Sequence, residues 1–416
     1  MARRLGGWGR LQPACSDRAL SPDITANSTT ASPAPSFSSS PVPSPSQSPV
    51  ALLAPLRFLL PGTSGRFRCG GLLVELQTAR LLAAGGDRPV QLVTYRQREP
   101  EHPYLDDLLA EEAAPGPALW VVSWGFDVPG LLRRLRGRPV AYHAHSSGYG
   151  FQLPPGVPVL AVSRNTLGYW GDRAPRSPLF LVPNALQSKW LERGERLANA
   201  RRPIDVLVQQ RKSSPYLLGL LLPALRQRGL RVELQSGWVD DLVDLFNSAT
   251  VVLYDSADYW RGRGVSEGFG LPPLEALACG CVLFSSLNHA LADSLDPGRL
   301  GHQLGCGTLE ADVERIVAAV AEPAAWRPEP AALDALLAGC GEQALLQRWQ
   351  QALAAIDAHW QRLAAGAQPL RSSSPLALRW SQRLERLGRL GHRLGHRLGR
   401  RLGPIGWLAG LLGPMG

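Results

Sequence analysis

Residues 266–281 read SEGFGLPPLEALACGC. Two carboxylates, Glu267 and Glu275, bracket a turn that holds Gly268, Gly270 and a proline pair, and an apolar run follows. Glycines let a chain turn sharply or approach another backbone closely, and proline at 272 or 273 suits the first position of a helix. The pattern predicts a tight loop feeding a helix, with Glu275 inside the first turn, beside unpaired N–H groups and the positive end of the helix dipole. An acidic side chain there has two readings. It can compensate the dipole, an effect worth under about 1 kcal/mol. It can also accept two hydrogen bonds from a ribose diol while the N–H groups receive a phosphate. Glu267, in the preceding loop, would face the same crevice and could grip sugar hydroxyls.

Outward from this loop, short apolar runs alternate with longer helical patterns, the signature of β-α-β units and parallel sheets. On the N-terminal side the expected strands are LRFLLPG (56–62), PVQLVTY (89–95), ALWVVSW (118–124), RPVAYHAH (138–145), VPVLAVS (157–163) and SPLFLVPNA (177–185). A second alternating half supplies IDVLVQQRKS (204–213), LRVELQSG (230–237), TVVLYDS (250–256) and CVLFSS (281–286), with a short helix over 239–249. The fold class is therefore α/β, with two doubly wound, Rossmann-like domains. Their ligand crevice lies outside the carboxyl ends of the strands, between the halves. The boundaries drawn are a Ser/Pro-rich N-terminal segment (1–54), an N-terminal Rossmann-like domain (55–186), a C-terminal Rossmann-like domain (187–341), an amphipathic helix crossing the domains (342–366) and an Arg/Leu/Gly tail (367–416).

The formal charge of +10 resembles a nucleic-acid signal until it is located along the chain. Residues 367–416 carry nine Arg and one acidic residue, and residues 1–50 carry four Arg and two Asp, which leaves the body formally neutral. A neutral body is a poor phosphate-backbone binder, so no nucleic-acid partner is expected. The six cysteines form no paired framework, and Cys279 and Cys281 read as small residues where a helix meets a strand, with metal ligation the alternative. Residues 19–50 are too poor in apolar side chains to offset ordering, and no apolar run is long enough for a signal peptide or a membrane span. An organellar transit peptide is the alternative for this Arg- and Ser-rich N-terminus. The expected location is cytoplasmic. In the tail, Arg-Leu-Gly repeats over 381–403 followed by IGWLAGLL (405–412) read as a basic amphipathic segment on an anionic membrane surface, or as a solubilising extension.

The string S-E-G-F-G-L-P-x-x-E-A-x-A-x-G, Ser266 to Gly280, resembles the donor-site signature of family 4-like retaining glycosyltransferases of the GT-B fold. WVDDLVDLFNSATVVLYDS (238–256) resembles that family's approach to the donor loop, AVSRNT followed by VPNA its interdomain region, and Gly70–Gly71 its glycine loop after the first strand. The resemblance spans most of 56–365. It implies transfer of a hexose, with retention, from a nucleotide-diphospho-sugar to a glycan, lipid-linked or small-molecule acceptor, without a metal or other cofactor. No D-x-D metal motif is present.

By the same resemblance Glu275 holds the donor's ribose, Glu267 its sugar, and Gly268, Phe269, Gly270 and Leu271 line the donor loop. The family's phosphate-clamping Arg and Lys, separated there by several residues, correspond to the adjacent Arg211 and Lys212, a departure in spacing. Cationic stabilisation of a leaving diphosphate supports that role, and an ordinary basic turn is the alternative. His143 and His145 alternate onto one face at a strand end, and His145, nearer the loop, is the catalytic candidate, with a satisfied core histidine as the alternative. Gly70, Gly71 and Asn184 are expected along the acceptor side of the cleft. The competing classes are a non-catalytic nucleotide- or glycan-binding protein and a phosphorylase. The latter needs a pyridoxal-phosphate lysine, and Lys189 and Lys212 are the chain's lysines.

Overall fold

A computed structural model describes residues 53–112, 114–196, 202–237 and 239–368, together with 376, 379, 380, 383 and 384. The expectations for the N-terminal segment to residue 52, and nearly all of that for the membrane-surface segment 381–412, lie outside the described residues. The described chain belongs to one compact unit built on two parallel sheets.

The first sheet holds β1 (Leu56–Leu60), β2 (Val90–Thr94), β3 (Leu119–Val122), β4 (Val140–Ala144), β5 (Val159–Ala161) and β6 (Leu179–Leu181), in the order β2-β1-β3-β4-β5-β6. The second holds β7 (Ile204–Gln209), β8 (Val232–Gln235), β9 (Ala249–Tyr254), β10 (Val282–Ser285) and β11 (His302–Gln303), in the order β11-β10-β9-β7-β8. Nine of the eleven strands fall inside the segments expected from sequence; β9 begins one residue early, at Ala249, where the short helix was expected to end, and β11, two residues long, has no periodicity to read.

Parallel strands covered on both faces read as unbroken apolar runs, and β3 and β4 are buried along their whole lengths. Alternation sorts them between two cores. Leu59, Trp120, Val122 and Tyr142 meet Trp170 on one face, whereas Phe58, Leu119, Val121 and Ala141 meet Ala79, Leu345, Trp349 and Ile356 on the other. The second face is covered by the helix Gly70–Gly85 and the 23-residue helix Glu342–Ala364, which returns from the second half onto the first sheet. The second sheet is likewise covered twice, by Leu274 and Leu277 against Leu207 and Val252, and by Leu217, Leu225 and Ile316 against Val206, Val251 and Phe284.

In both sheets the strand order reverses beside the first strand of the half, between β1 and β3 and between β7 and β9. Such switch points open a crevice at the carboxyl ends of the strands. The loops there touch across the two halves. Ser266 Oγ accepts from the Ser147 amide at 3.0 Å and from the Ser147 hydroxyl at 2.8 Å, and the Ser146 hydroxyl donates to the Ser266 carbonyl at 2.7 Å.

Candidate active site

The two glycines of the opening loop do different work. A Cβ on Gly268 would stand 1.5 Å from the His145 carbonyl oxygen, so only glycine lets the second half close against the first. Gly270 has φ +88° and caps the helix Leu271–Ala278, giving the chain the left-handed residue it needs to turn into that helix. The helix begins at Leu271, one residue before the proline pair, and its first turn holds no acidic residue. Glu275 is therefore in the second turn. This corrects the first-turn placement, and the correction weakens dipole compensation, which fades beyond the end turn.

Glu267 is 4% exposed. Its Oε2 accepts from the Tyr254 hydroxyl at 2.5 Å and from Trp260 Nε1–H at 2.6 Å, and its Oε1 lies 3.5 Å from Lys212 Nζ. Its backbone N–H donates to His289 Nδ1 at 3.3 Å. Burial and the neighbouring carboxylate push the Tyr254 phenol well above its ordinary range, so it remains a donor. Burial lowers His289, which Glu267 partly offsets, in keeping with a neutral ring that accepts at Nδ1. The arrangement commits one oxygen of Glu267 to the protein and leaves the other beside an ammonium group.

Lys212 reaches this point because it adopts φ +74°, a left-handed conformation that costs a non-glycine residue energy. Its ammonium also sits 4.7 Å from the centre of the Trp260 ring. Arg211, its neighbour in the same turn, is exposed, so the pair divides between the crevice and its rim. Phe269 and Leu271 are half-buried against the core beneath the loop. Burial pushes Glu275 up to about 7, against the pull of Lys189 and Lys212. Lys189, from the helix Ser188–Arg193, also lines a cavity of about 300 Å³ that runs between that helix and Leu73, Gln77 and Arg80 of the Gly70–Gly85 helix.

On the opposite wall, Gly70 and Gly71 open the Gly70–Gly85 helix. A Cβ on Gly70 would meet nothing within 4 Å, and one on Gly71 only Cys69 Sγ at 3.9 Å. Asn184 is buried, and its Oδ1 has no partner among the described residues. His143 and His145 do share one face, with ring centres 4.2 Å apart. Both point at a residue the sequence reading passed over. Glu75 Oε1 is 2.8 Å from His143 Nδ1 and 2.7 Å from His145 Nε2. The signal was present: Leu72, Glu75, Ala79 and Leu82 form one buried helical stripe, and a carboxylate on such a stripe is anomalous. Although burial alone would raise it, His143 and His145 hold Glu75 down to about 2, whereas burial lowers His143 despite the nearby carboxylate. An ionised Glu75 beside a neutral His143 that donates from Nδ1 fits the geometry.

Among the described residues, Glu75, His143 and His145 are the group whose ligand atoms converge closely enough to hold a metal ion, all within 4.8 Å of one another. Cys279 and Cys281 are buried structural residues. Their thiols are pushed up by burial, Cys281 to about 11, and Cys281 Sγ lies 3.2 Å from the Phe246 carbonyl. No helix among the described residues is long and apolar enough to cross a membrane.

No family model and no curated protein matches the chain. Solved structures do. A sucrose-phosphate synthase from Thermosynechococcus elongatus superposes with a TM-score of 0.54 at 15% identity, over 76% of this chain and 100% of that one. A glycosyltransferase from Rickettsia africae gives 0.53 at 9% identity over 73% and 98% of the respective chains. AviGT4, a glycosyltransferase involved in avilamycin A biosynthesis, gives 0.50 at 17% identity over 76% and 99%. The fold is the GT-B glycosyltransferase fold, two Rossmann-like halves about a cleft.

Proposed function

We propose that the protein is a glycosyltransferase that moves a hexose from a nucleotide-diphospho-sugar to a glycan, lipid-linked or small-molecule acceptor. The observation that carries this reading is Glu267. It is a buried carboxylate with one oxygen fixed by Tyr254 and Trp260 and the other beside Lys212, in a loop that leads straight into a helix and abuts His145. A buried charge is costly unless it is paired and hydrogen-bonded, and this one is held by two neutral donors and one ammonium group.

In the proposed complex the sugar hydroxyls donate to Glu267 Oε1. The ribose diol donates to Glu275. The diphosphate lies against Lys212, Arg211 and the N–H groups at Gly270–Leu271, where cationic stabilisation matches the charge that develops as the glycosidic bond breaks. Lys212 would then exchange its carboxylate partner for a phosphate oxygen. His145 meets the transferred sugar, and Gly70, Gly71 and Asn184 line the acceptor side. Family-4-type chemistry, retention of configuration and independence from a metal rest on the resemblance of Ser266–Gly280 to the family signature. The tail residues 381–412 would hold the enzyme against an anionic membrane surface on the cytoplasmic side.

The test is a thermal-shift series on the full chain with UDP, GDP, ADP and their common sugars, followed by NMR of the anomeric product. A ligand at about 100 times its dissociation constant adds roughly 2.7 kcal/mol to native stability. One nucleotide should raise the melting temperature of the wild type and fail to raise that of Glu275→Ala. A series with no shift for either protein would overturn the donor-site reading.

A further inference from the structure

The geometry points to Glu75 as a positioning residue that fixes the imidazole of His145 by accepting Nε2–H, so that Nδ1 is presented as a hydrogen-bond acceptor to a hydroxyl of the transferred sugar. The inference rests on the transferase reading above for the identity of the sugar, but not for the state of the ring.

Glu75 is 1% exposed and its hydrogen-bond partners among the described residues are the two imidazoles, both on Oε1. Its second oxygen has none. A sealed carboxylate whose partners are two imidazoles, with no guanidinium or ammonium, is a poor stabilising device, since replacing a buried polar cluster by apolar side chains often costs the fold little. What it does well is fix geometry. His143 is the penultimate residue of β4, is fully buried, and its ring stands edge-on to Trp349 at 5.0 Å. By donating from Nδ1 it pins Oε1 and prevents the carboxylate from rotating away. His145 follows two residues later on the same face, and its side chain is 16% exposed.

With Nε2 committed to Glu75, Nδ1 is the remaining polar atom of the His145 ring, and no protein partner for it is seen among the described residues. The backbone carbonyl of the same residue presses against Gly268, the residue that follows Glu267 in the opening loop. The carboxylate thus sets which nitrogen carries the proton, as acidic partners of functional histidines do generally. The same three side chains could instead hold a metal ion. The two N···O contacts at 2.7 and 2.8 Å are ordinary hydrogen-bond lengths, and they satisfy both nitrogens without one.

The experiment uses full-length protein with 15N-labelled imidazoles, in wild type and Glu75→Gln, alongside His145→Ala and the double variant. The His145 resonances should report the Nε2–H tautomer in the wild type and a mixture in Glu75→Gln. With the donor sugar identified by the thermal-shift series, kcat should fall about 10- to 100-fold in Glu75→Gln, the scale of one lost charge-assisted hydrogen bond. Binding of the nucleoside diphosphate lacking the sugar should stay within about twofold. In the His145→Ala background the same change should cost little more, because partners in one network are not additive.

A Nδ1–H tautomer in the wild type would overturn the inference, also if Glu75→Gln does not fold. So would an equal loss of kcat with and without His145. One zinc ion per purified chain, lost in His143→Gln, would overturn it in favour of a metal site. Absence of any nucleotide binding or transfer by the wild type would instead overturn the transferase reading, leaving the tautomer measurement to decide the role of Glu75.

Discussion

Replacing Glu275 by glutamine should make the ligand-free protein more stable and its donor site worse. Burial raises this carboxyl from 4.5 to about 7, even with Lys189 and Lys212 pulling it down. A group whose folded pKa is raised binds its proton more tightly in the native state than in the unfolded chain. Ionised Glu275 therefore costs the fold its full penalty above pH 7, and the penalty is relieved as pH falls from about 7 toward 4.5. At about 1.4 kcal/mol per pH unit the shift corresponds to about 3 kcal/mol. Glutamine has the same shape and no charge. Its ligand-free melting temperature should exceed the wild type's by about 5–10 °C at pH 8, taking a few degrees per kcal/mol for a domain of this size. At pH 5 the native carboxyl is protonated but the unfolded one is still mostly ionised, so the difference should shrink to about a quarter of that at pH 8. Scanning fluorimetry of both proteins at the two pH values measures this directly. The same samples with nucleotide-sugar should show the wild type gaining and the variant gaining little, because an amide oxygen replaces a charged acceptor for two ribose hydroxyls. A gain in Glu275→Gln that is the same at pH 5 and pH 8, or a loss at pH 8, would refute the reasoning.

In the wild type, nucleotide affinity measured by calorimetry should weaken as pH drops below 7, approaching tenfold per unit, since binding by ribose hydroxyls must first expel the proton from Glu275. Gly268→Ala should lower stability by about 1–3 kcal/mol and abolish transfer, because its Cβ would collide with the His145 carbonyl oxygen at 1.5 Å; a melting curve and a transfer assay check both. Trp260→Phe removes the N–H that fixes Glu267 Oε2 and should reduce kcat/KM for the donor by about 10- to 100-fold, with binding of the nucleoside diphosphate alone unchanged in a thermal-shift assay. Deleting residues 381–416 should abolish flotation with anionic liposomes; equal flotation of both proteins would remove the membrane-surface role.

Much of this architecture is written locally. β3 and β4 announce themselves because strands covered on both faces need apolar side chains at every position, and LWVV and VAYHA supply them. Glu267 and Glu275 are legible because glycine, proline and acid at fixed spacing have few other uses. The helix starts one or two residues before the position that the proline pair at 272 and 273 implies, because the left-handed Gly270 already commits Leu271 to the helix. Glu75, Tyr254, Trp260 and His289 were not singled out, because their importance is set by what they touch. Trp260 lies on the five-residue helix Ala257–Arg261 with no internal pattern, and Glu75 matters only when β4 brings His143 and His145 over its helix. Partners more than about 60 residues apart in sequence leave no mark in a window of 11–18 residues, so tertiary hydrogen bonds have to be seen rather than read.

The two carboxylates around the opening turn are built on opposite principles, and the difference accounts for the turn itself. Glu267 is sealed and held by Tyr254, Trp260 and Lys212, so its geometry is fixed before any ligand arrives. Glu275 makes no hydrogen bond with a side chain among the described residues and is held near neutrality by burial, so its hydrogen-bonding capacity is unspent. A site with one preorganised acceptor and one acceptor without a side-chain donor gains most from a ligand that brings hydroxyl donors to both at once, since hydrogen bonds to Glu275 offset the burial that raises its pKa. Such a ligand needs two hydroxyl-bearing groups separated by a linker that can lie along Lys212 and the start of the Leu271–Ala278 helix. A nucleotide-diphospho-sugar has that form, with ribose and hexose at either end and an anionic bridge between them. Gly268 and Gly270 are then the means of carrying a chain between two such acceptors within a few residues, one by letting it touch the far wall at His145, the other by turning it into the helix that bears Glu275.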